Sequence, residues 1–202
     1  MDRITELDDL LARYGSASVG SKAKEQSVIG DHYRDLIEAS PFCALATVGP
    51  DGLDCTPRGD DPGFIRVIDE RTLELPDRKG NNRLDSLRNV IDDPRVSLLF
   101  LIPGRNETMR INGTAEIIVE PAVLASHAVG GRAPTTVLRI TVDRAYFQCG
   151  KAPMRSGIWD PDRWPDISGL PTTGTISSSF RDGVDVAEYD ATLDQRLRET
   201  MY

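Results

Sequence analysis

The chain has 202 residues, of which 32 are acidic and 24 are basic, so its formal net charge at neutral pH is −8. This length suits one domain with additional segments better than two full domains. With 39% hydrophobic and 28% charged residues, the composition fits a packed core and excludes wholesale disorder. The negative charge argues against nucleic acid or an anionic membrane as the partner.

No stretch of the sequence is typical of an export signal or a membrane span. Residues 1–6 are mostly polar and charged, unlike a signal peptide. The longest apolar run, residues 96–103, is far shorter than the roughly 20 residues that a bilayer requires. The three cysteines are widely spaced and are expected to be reduced. We therefore expect a soluble, cytoplasmic protein.

Helical patterns precede the first predicted strand. Apolar residues recur with helical spacing from Ile4 to Tyr14, and the pattern ends at Gly15, a residue type that often terminates helices. Residues 16–21 are predicted to be a loose polar stretch. Asp31 can cap a second helix that ends before Pro41 and turns Leu36 and Ile37 inward.

From residue 42 the pattern changes to that of β-strands. Turn sequences connect the two strands of each of two predicted hairpins. Gly113 lies inside a long strand, where a bulge or bend is expected. The predicted strands cover residues 42–48, 53–57, 64–68, 72–75, 96–102, 108–119 and 137–147. This set predicts a mainly β fold, an antiparallel β-barrel of six or seven strands with peripheral helices, rather than a parallel α/β sheet.

The remaining segments are predicted to lie around the barrel. A short helix is expected to place Leu84, Leu87 and Ile91 on one face, and residues 121–127 are predicted to form a helical turn. Residues 159–179 are predicted to be irregular, and the apolar spacing from Tyr189 to Met201 predicts an amphipathic helix. The expected organisation is a helical segment (1–39), a barrel domain (40–165) and a final segment (166–202) that packs on the same domain.

Residues 76–84 carry the strongest indication of a binding site. They leave a strand, contain the cations Arg78, Lys79 and Arg83, and open a helix. A helix N-terminus offers free N–H donors and positive partial charge, which suits a phosphate group. Asn81 or Asn82 can cap that helix or bond a phosphate oxygen. The alternative is a solvated polar loop.

Three further segments carry candidate binding residues. Arg58, at a strand end after Thr56 and Pro57, can direct its guanidinium at an anion, or it is an ordinary turn arginine. If Met109 and Ile111 face the core, Arg110 lies on the opposite face, near a ligand or in a salt-bridged surface. Residues 147–159 mix aromatic, amide and basic side chains, which suits a flat ring system or a plug at the barrel end.

Other catalytic arrangements fit the sequence poorly. Neither His32 nor His127 has metal-ligand spacing, so no metal site is expected. The sequence has no G-x-S-x-G, Cys/His, Walker A or G-x-G-x-x-G signature. If the protein is an enzyme, we expect a cofactor to carry the chemistry.

These motifs, taken in order, resemble the FMN-binding proteins of the pyridoxamine 5′-phosphate oxidase-like split-barrel family. The resemblance is to a branch described as FMN-dependent enzymes, and it covers roughly residues 30 to 165. The motifs that carry it are SPF (40–42), TPRGD (56–60), LPDRKGNNR (75–83), LFLIPG (99–104), MRING (109–113) and KAPMRS (151–156).

The resemblance implies a homodimer with two FMN sites at the subunit interface, each built from both subunits. The phosphate would lie against Arg78, Lys79 and Arg83, with Arg58 nearby, and the flavin ring would rest on the strand end at residues 56–59. Arg110 and residues 148–159 would come from the partner chain. The implied cofactor-binding residues are Thr56, Pro57, Arg58, Gly59, Asp77, Arg78, Lys79, Asn81, Asn82, Arg83, Arg110, Gln148, Lys151, Arg155 and Trp159.

The expected function is that of an FMN-dependent oxidoreductase, in which the flavin relays electrons from a reduced donor to oxygen or a small acceptor. The alternatives are a non-catalytic flavin-binding or carrier protein, or a split barrel that uses F420 or haem, haem being disfavoured by two isolated histidines. True pyridoxamine phosphate oxidases carry a final arginine motif close to a proline. Residues 195–202 lack that motif, so oxidation of vitamin B6 is not expected.

Overall fold

Seven antiparallel strands form one sheet in the computed structural model, which describes residues 3–202. Met1 and Asp2, the first residues of the predicted segment 1–39, lie outside the described residues. The strands are β1 (Phe42–Gly49), β2 (Gly52–Gly59), β3 (Arg66–Asp69), β4 (Thr72–Asp77), β5 (Arg95–Leu101), β6 (Thr108–Ile118) and β7 (Thr136–Gln148).

The strand order in the sheet is β2-β1-β5-β6-β7-β4-β3, and every neighbouring pair is antiparallel. The structure confirms both predicted hairpins, β1–β2 and β3–β4. A salt bridge of 2.6 Å between Arg58 on β2 and Asp77 on β4 joins the first strand of this order to the sixth. The sheet therefore curls on itself, and the fold is the predicted mainly β split barrel with peripheral helices.

The core lies inside the curled sheet, where alternate residues of each strand point. Leu45, Phe100, Met109, Ile111 and Ile140 are each fully buried. Burying one such side chain contributes roughly 1.5–3 kcal/mol, so the inward-facing rows supply most of the driving force for closing the barrel. The burial of Met109 and Ile111 confirms that Arg110 lies on the opposite face of β6.

Gly113 lies at a β-bulge, as predicted. The pairing of β6 with β7 shifts register between Asn112, which faces Arg144, and Gly113, which faces Val142. A Cβ atom at position 113 would lie 2.1 Å from the main-chain oxygen of Thr141. Only glycine permits this close approach of the two backbones.

Eight α-helices and one 3₁₀ turn surround the sheet in the described part of the chain. No helix within residues 3–202 combines the length and apolar character that crossing a bilayer requires. The helices are α1 (Leu7–Tyr14), α2 (Val19–Ala23), α3 (Asp31–Glu38), α4 (Asp85–Asp92), α5 (Pro121–Ser126), α6 (Lys151–Ser156), α7 (Thr173–Ser178) and α8 (Val186–Glu199), and the 3₁₀ turn is Pro161–Arg163.

Two segments predicted to be irregular contain short helices. The stretch predicted as loose at residues 16–21 runs into α2, because the Ser18 side chain accepts a hydrogen bond from the N–H of Ser21 and caps the helix. Within residues 159–179, Thr172 caps α7 in the same way by accepting from Thr175. In both cases a hydroxyl cap starts a helix that composition does not reveal.

The predicted face of α4 is right for Leu87, which packs against the core, and wrong for the other two residues. Leu84 precedes the helix with a left-handed φ of 62°, and Ile91 is 75% exposed. The side chains of α4 that are buried belong instead to Ser86 and Val90, one helical turn apart. Ser86 donates a hydrogen bond to Asp54 on β2 at 3.1 Å, so a polar contact as well as apolar packing sets the rotation of the helix.

Candidate functional site

A cavity of about 1030 Å³ opens where the ends of the curled sheet approach each other. Its walls come from residues 54–59 of β2, the end of β4 with the loop into α4, and residues 132–136 at the start of β7. Ten of the predicted cofactor-binding residues line it: Thr56, Pro57, Arg58, Gly59, Asp77, Arg78, Lys79, Asn81, Asn82 and Arg83.

The loop between β4 and α4 makes an unusual turn beside this cavity. Asn82 and Leu84 both have left-handed φ angles, near 60°. The Asn81 side chain accepts a hydrogen bond from the N–H of Arg83 and so stabilises the turn. Neither asparagine caps α4, which has no side-chain cap; the predicted capping role is therefore wrong, because the loop ends two residues later than the asparagines require. The first turn of α4 nevertheless faces the cavity.

Each arginine from the two motifs forms an ion pair with an aspartate. Arg58 bonds Asp77 at 2.6 Å, Arg78 bonds Asp60 at 2.7 Å, and Arg83 bonds Asp85 at 2.8 Å. Sequence reasoning missed the pairings, since Asp60 lies 18 residues from Arg78 and Asp77 lies 19 from Arg58. These pairs orient the guanidinium groups, and a single carboxylate uses only part of the five donors of an arginine.

Arg78 is the most firmly held of these cations. Besides bonding Asp60, it donates to the main-chain oxygen of His127 at 2.8 Å and lies 5.7 Å from the centre of the Tyr202 ring. Burial alone would raise the pKa of Asp60, but hydrogen bonds from Tyr202, the Asp61 N–H and Arg78, with the charge of Arg78, hold it below its ordinary value. The Asp60 carboxylate therefore stays charged at neutral pH.

The cavity wall is positively charged overall. Five cations line it, namely Arg58, Arg78, Lys79, Arg83 and Arg132, against the three lining carboxylates Asp54, Asp77 and Asp85 and the rim carboxylate Asp60. Lys79 is exposed and has no ion-pair partner within residues 3–202. In a concave site partly screened from water, such an excess attracts an anion.

Two buried polar atoms at the cavity have no hydrogen-bond partner in the described part of the chain. They are Nε of Arg58 and Oγ1 of Thr136, and both residues line the cavity. Leaving a buried polar atom without a partner costs roughly 1–3 kcal/mol, so native proteins rarely do so without reason. These atoms are suited to a polar ligand that supplies the missing partners.

Behind the cavity, a buried ionic cluster supports the wall. Glu74 on β4 accepts hydrogen bonds from Arg139 at 2.7 Å and pairs with His127 at 2.9 Å. Burial would raise the pKa of Glu74, but the bonds from His127 and Arg139 hold it below its ordinary value. Burial lowers the pKa of His127, and the charges of Arg66 and Arg78 lower it further, against the opposing effect of Glu74. His127 is therefore neutral at pH 7.

The other five predicted residues lie elsewhere on this chain. Arg110 contacts the Tyr146 hydroxyl, and Trp159 donates to the main-chain oxygen of Arg105. Gln148 ends β7, beside Thr108 at the start of β6, while Lys151 and Arg155 belong to α6. None of the five lines the cavity. A single chain thus brings together the residues of the TPRGD and LPDRKGNNR motifs and leaves the rest apart.

Sequence reasoning missed several lining residues, chiefly Arg132 and Tyr202. Gly130 and Gly131, both with left-handed φ, turn the chain ahead of Arg132, which was a usable signal. Tyr202 had no local signal, because its neighbours at the cavity are more than 60 residues away in sequence. No group of three potential metal ligands occurs within residues 3–202.

Comparison with known families gives one match. Residues 29–149, more than half of the chain, match the family model described as pyridoxamine 5′-phosphate oxidase. No curated protein matches the chain significantly.

Solved structures that resemble the chain include HupZ from Group A Streptococcus, with 26% identity and a TM-score of 0.46 over 59% of this chain and 93% of that one. General Stress Protein 26 from Bacillus anthracis has 15% identity and a TM-score of 0.43, covering 57% and 91% of the two chains. An FMN-binding protein from Syntrophomonas wolfei has 12% identity and a TM-score of 0.45, covering 58% and 84%.

Proposed function

Because the chain belongs to the pyridoxamine 5′-phosphate oxidase family, we propose that it is an FMN-dependent oxidoreductase whose cofactor binds in the cavity between β2, β4 and α4. The observation that carries the proposal is the excess of cations on the cavity wall, next to the orphaned atoms of Arg58 and Thr136. When bound, FMN would relay electrons from a reduced donor to oxygen or a small acceptor.

The residues present fit the phosphate group of this cofactor. Lys79 supplies a cation without an ion-pair partner in residues 3–202, and the paired Arg78 and Arg83 keep further N–H donors for a phosphate oxygen. Fixed arginines cost less entropy on binding than mobile ones. The backbone of β2, an edge strand, offers main-chain groups at residues 56–59 for the polar edge of a flavin ring.

We also propose that the active unit is a homodimer in which the partner subunit completes each site. The support is the separation of the motifs. Arg110, Gln148, Lys151, Arg155 and Trp159 belong to the part of the chain that resembles the family, yet they lie outside the cavity of their own chain. Exposed apolar side chains also follow β7, including Met154 at 60% and Trp164 at 59% exposure, which is typical of association surfaces.

The phosphate assignment is tested by titrating FMN and riboflavin, which differ by the phosphate alone, against the variant Lys79→Ala. Because a hydrogen bond to a charged group contributes roughly 1.5–3 kcal/mol, we expect FMN to bind about tenfold or more weakly and riboflavin to bind as before. Lys22→Ala, at an exposed lysine on α2, is the matched control. An unchanged FMN affinity, or an equal loss for both flavins, would show that Lys79 does not contact the phosphate.

The oxidoreductase and the carrier predict different behaviour of the flavin-loaded protein. The oxidoreductase consumes NADH or NADPH in the presence of oxygen at a rate above that of free FMN, whereas a carrier is inert. The visible spectrum of the purified protein separates FMN from F420 and haem. Neither histidine lines the cavity, so a haem there would lack a histidine ligand from this chain.

Mixing two variants tests the shared site. Lys79→Ala alters the cavity side of the site, and Arg155→Ala alters the side attributed to the partner. A heterodimer of the two holds one site that carries both changes and one that carries neither. We expect each heterodimer to bind FMN at one of its two sites, so a 1:1 mixture, in which about half of the dimers are heterodimers, should recover roughly a quarter of the wild-type FMN binding. A flavin-loaded protein that sediments as a monomer contradicts the shared site.

A further inference from the structure

The segment that follows α8 lies across the rim of the cavity. The Tyr202 hydroxyl donates a hydrogen bond to Asp60 at 2.6 Å, and its main-chain oxygen accepts one from Arg132 at 2.9 Å. The guanidinium of Arg78 lies 5.7 Å from the centre of its ring, within the range of a cation–π contact. One residue therefore contacts three side chains of the cavity rim.

These partners come from three different parts of the barrel. Asp60 follows β2, Arg78 follows β4, and Arg132 lies in the loop between α5 and β7. By contrast, α8 itself buries none of its side chains. Within the described residues, the hydrogen bonds between residues 186–202 and the barrel both belong to Tyr202. This residue is what fastens the segment to the site.

Tyr202 forms a wall of the cavity and does not fill it. The volume of about 1030 Å³ is present with Tyr202 in place, and ligand pockets typically measure about 300–1,000 Å³. Tyr202 and a bound ligand can therefore occupy the site together. The Asp60 carboxylate that holds the phenol is only 3% exposed, so water competes weakly for this bond.

We propose that Tyr202 is a binding-site residue that retains the ligand by fastening the segment after α8 across the cavity rim. The hydrogen bond to Asp60 and the contact with Arg132 break when the ligand enters or leaves and form again around it. This role rests on the proposed function, because the ligand used to test it is FMN.

The rate of FMN dissociation tests the proposal. Protein loaded with FMN is diluted rapidly into a large volume of flavin-free buffer, and FMN release is followed by the change in flavin fluorescence. We expect Tyr202→Ala to speed release about tenfold and to raise the association rate as well, because an open rim admits and frees the ligand faster. Tyr202→Phe, which keeps the ring but loses the hydroxyl, should lie between Tyr202→Ala and the wild type. Tyr14→Ala, at a tyrosine 79% exposed on α1, is the matched control and should behave as wild type.

A second readout needs no ligand. Trypsin cleaves after Arg196 and Arg198 in the last turns of α8. A segment that is no longer held to the rim is cut faster, so Tyr202→Ala should be cleaved at these two arginines sooner than wild type. Circular dichroism checks that each variant is folded. If Tyr202→Ala does not fold, the FMN release rate of Tyr202→Phe tests the proposal instead. A wild-type protein that binds no FMN refutes the proposed function. If the wild type binds FMN and both variants release it at the wild-type rate, only the role of Tyr202 is refuted. A variant in which FMN associates faster but dissociates at the wild-type rate refutes that role as well, because Tyr202 would then compete with the ligand.

Discussion

Replacing Gly113 with alanine tests the bulge on which the β6–β7 pairing depends. The new methyl group would lie 2.1 Å from the oxygen and 3.0 Å from the carbon of the Thr141 carbonyl, and 3.3 Å from Cα of Val142. All three atoms are backbone, so no side-chain rotation relieves the overlap. The two strands must separate locally by about 1 Å, which is comparable to the displacement that weakens a hydrogen bond severely.

The expected cost combines overpacking, typically about 1–3 kcal/mol, with about 0.5–1.5 kcal/mol for each weakened ladder bond. Alanine returns about 0.4–1 kcal/mol by restricting the unfolded chain. We therefore expect a net loss of about 3 kcal/mol, a large part of the roughly 5–15 kcal/mol that stabilises a typical domain. With an m value of about 2 kcal/mol/M in urea, the unfolding midpoint should fall by about 1.5 M.

The measurement is urea unfolding followed by far-ultraviolet circular dichroism at one fixed protein concentration. Gly169→Ala is the matched control, because a Cβ atom there meets nothing within 4 Å, and its midpoint should stay close to that of the wild type. If Gly113→Ala and Gly169→Ala unfold at the same urea concentration, the close approach of β6 and β7 does not contribute to stability as argued.

Three further predictions concern groups placed by the tertiary structure. Because the pKa of His127 is lowered in the folded state, the unfolded chain binds the proton first, and stability should fall as the pH drops below about 6.5. His127→Gln, which can still donate to Glu74, should reduce this pH dependence of the urea midpoint between pH 5.5 and 7.5. If the variant keeps the same pH dependence, other groups cause it. Val90 is 5% exposed and Ile91 is 75% exposed. Alanine should therefore lower the free energy of unfolding by about 2 kcal/mol or more at Val90 and by under about 0.5 kcal/mol at Ile91. Equal losses of stability in thermal unfolding would favour the helix face predicted from the sequence. Burial raises the pKa of the Cys43 thiol to about 12, so a thiol reagent should modify the two exposed cysteines of the native protein quickly and the third only after unfolding; three fast thiols would contradict this.

The sequence predicted much of the fold because its signals are local. Turn residues between alternating strands predicted the hairpins around Gly49–Gly52 and Asp69–Thr72, and an isolated glycine predicted the bulge. The missed helices α2 and α7 begin at local hydroxyl caps, whereas the error in the face of α4 falls where a distant contact decides. The rotation of α4 follows from the bond between Ser86 and Asp54, which no helical periodicity contains.

For the candidate site, too, the sequence predicted the features that are local and missed the contacts between distant residues. Its cations were visible as one cluster because Arg78, Lys79 and Arg83 are neighbours in sequence, and they do line one cavity with Arg58. Their acidic partners were not visible, since Asp60 and Arg78 meet only when the two ends of the sheet approach each other.

The sequence by itself determined the class of fold and the segment that carries the cluster of cations, because hydrophobic alternation, turn chemistry and charge density act over a few residues. The order of its motifs indicated the family. Only the tertiary structure decided which arginines are paired, which polar atoms lack partners, and that Tyr202 lies at the same cavity. Those properties depend on closing the barrel, which brings side chains from positions 58, 78, 132 and 202 to one place. Local sequence patterns do not predict contacts between residues that are so far apart in the chain.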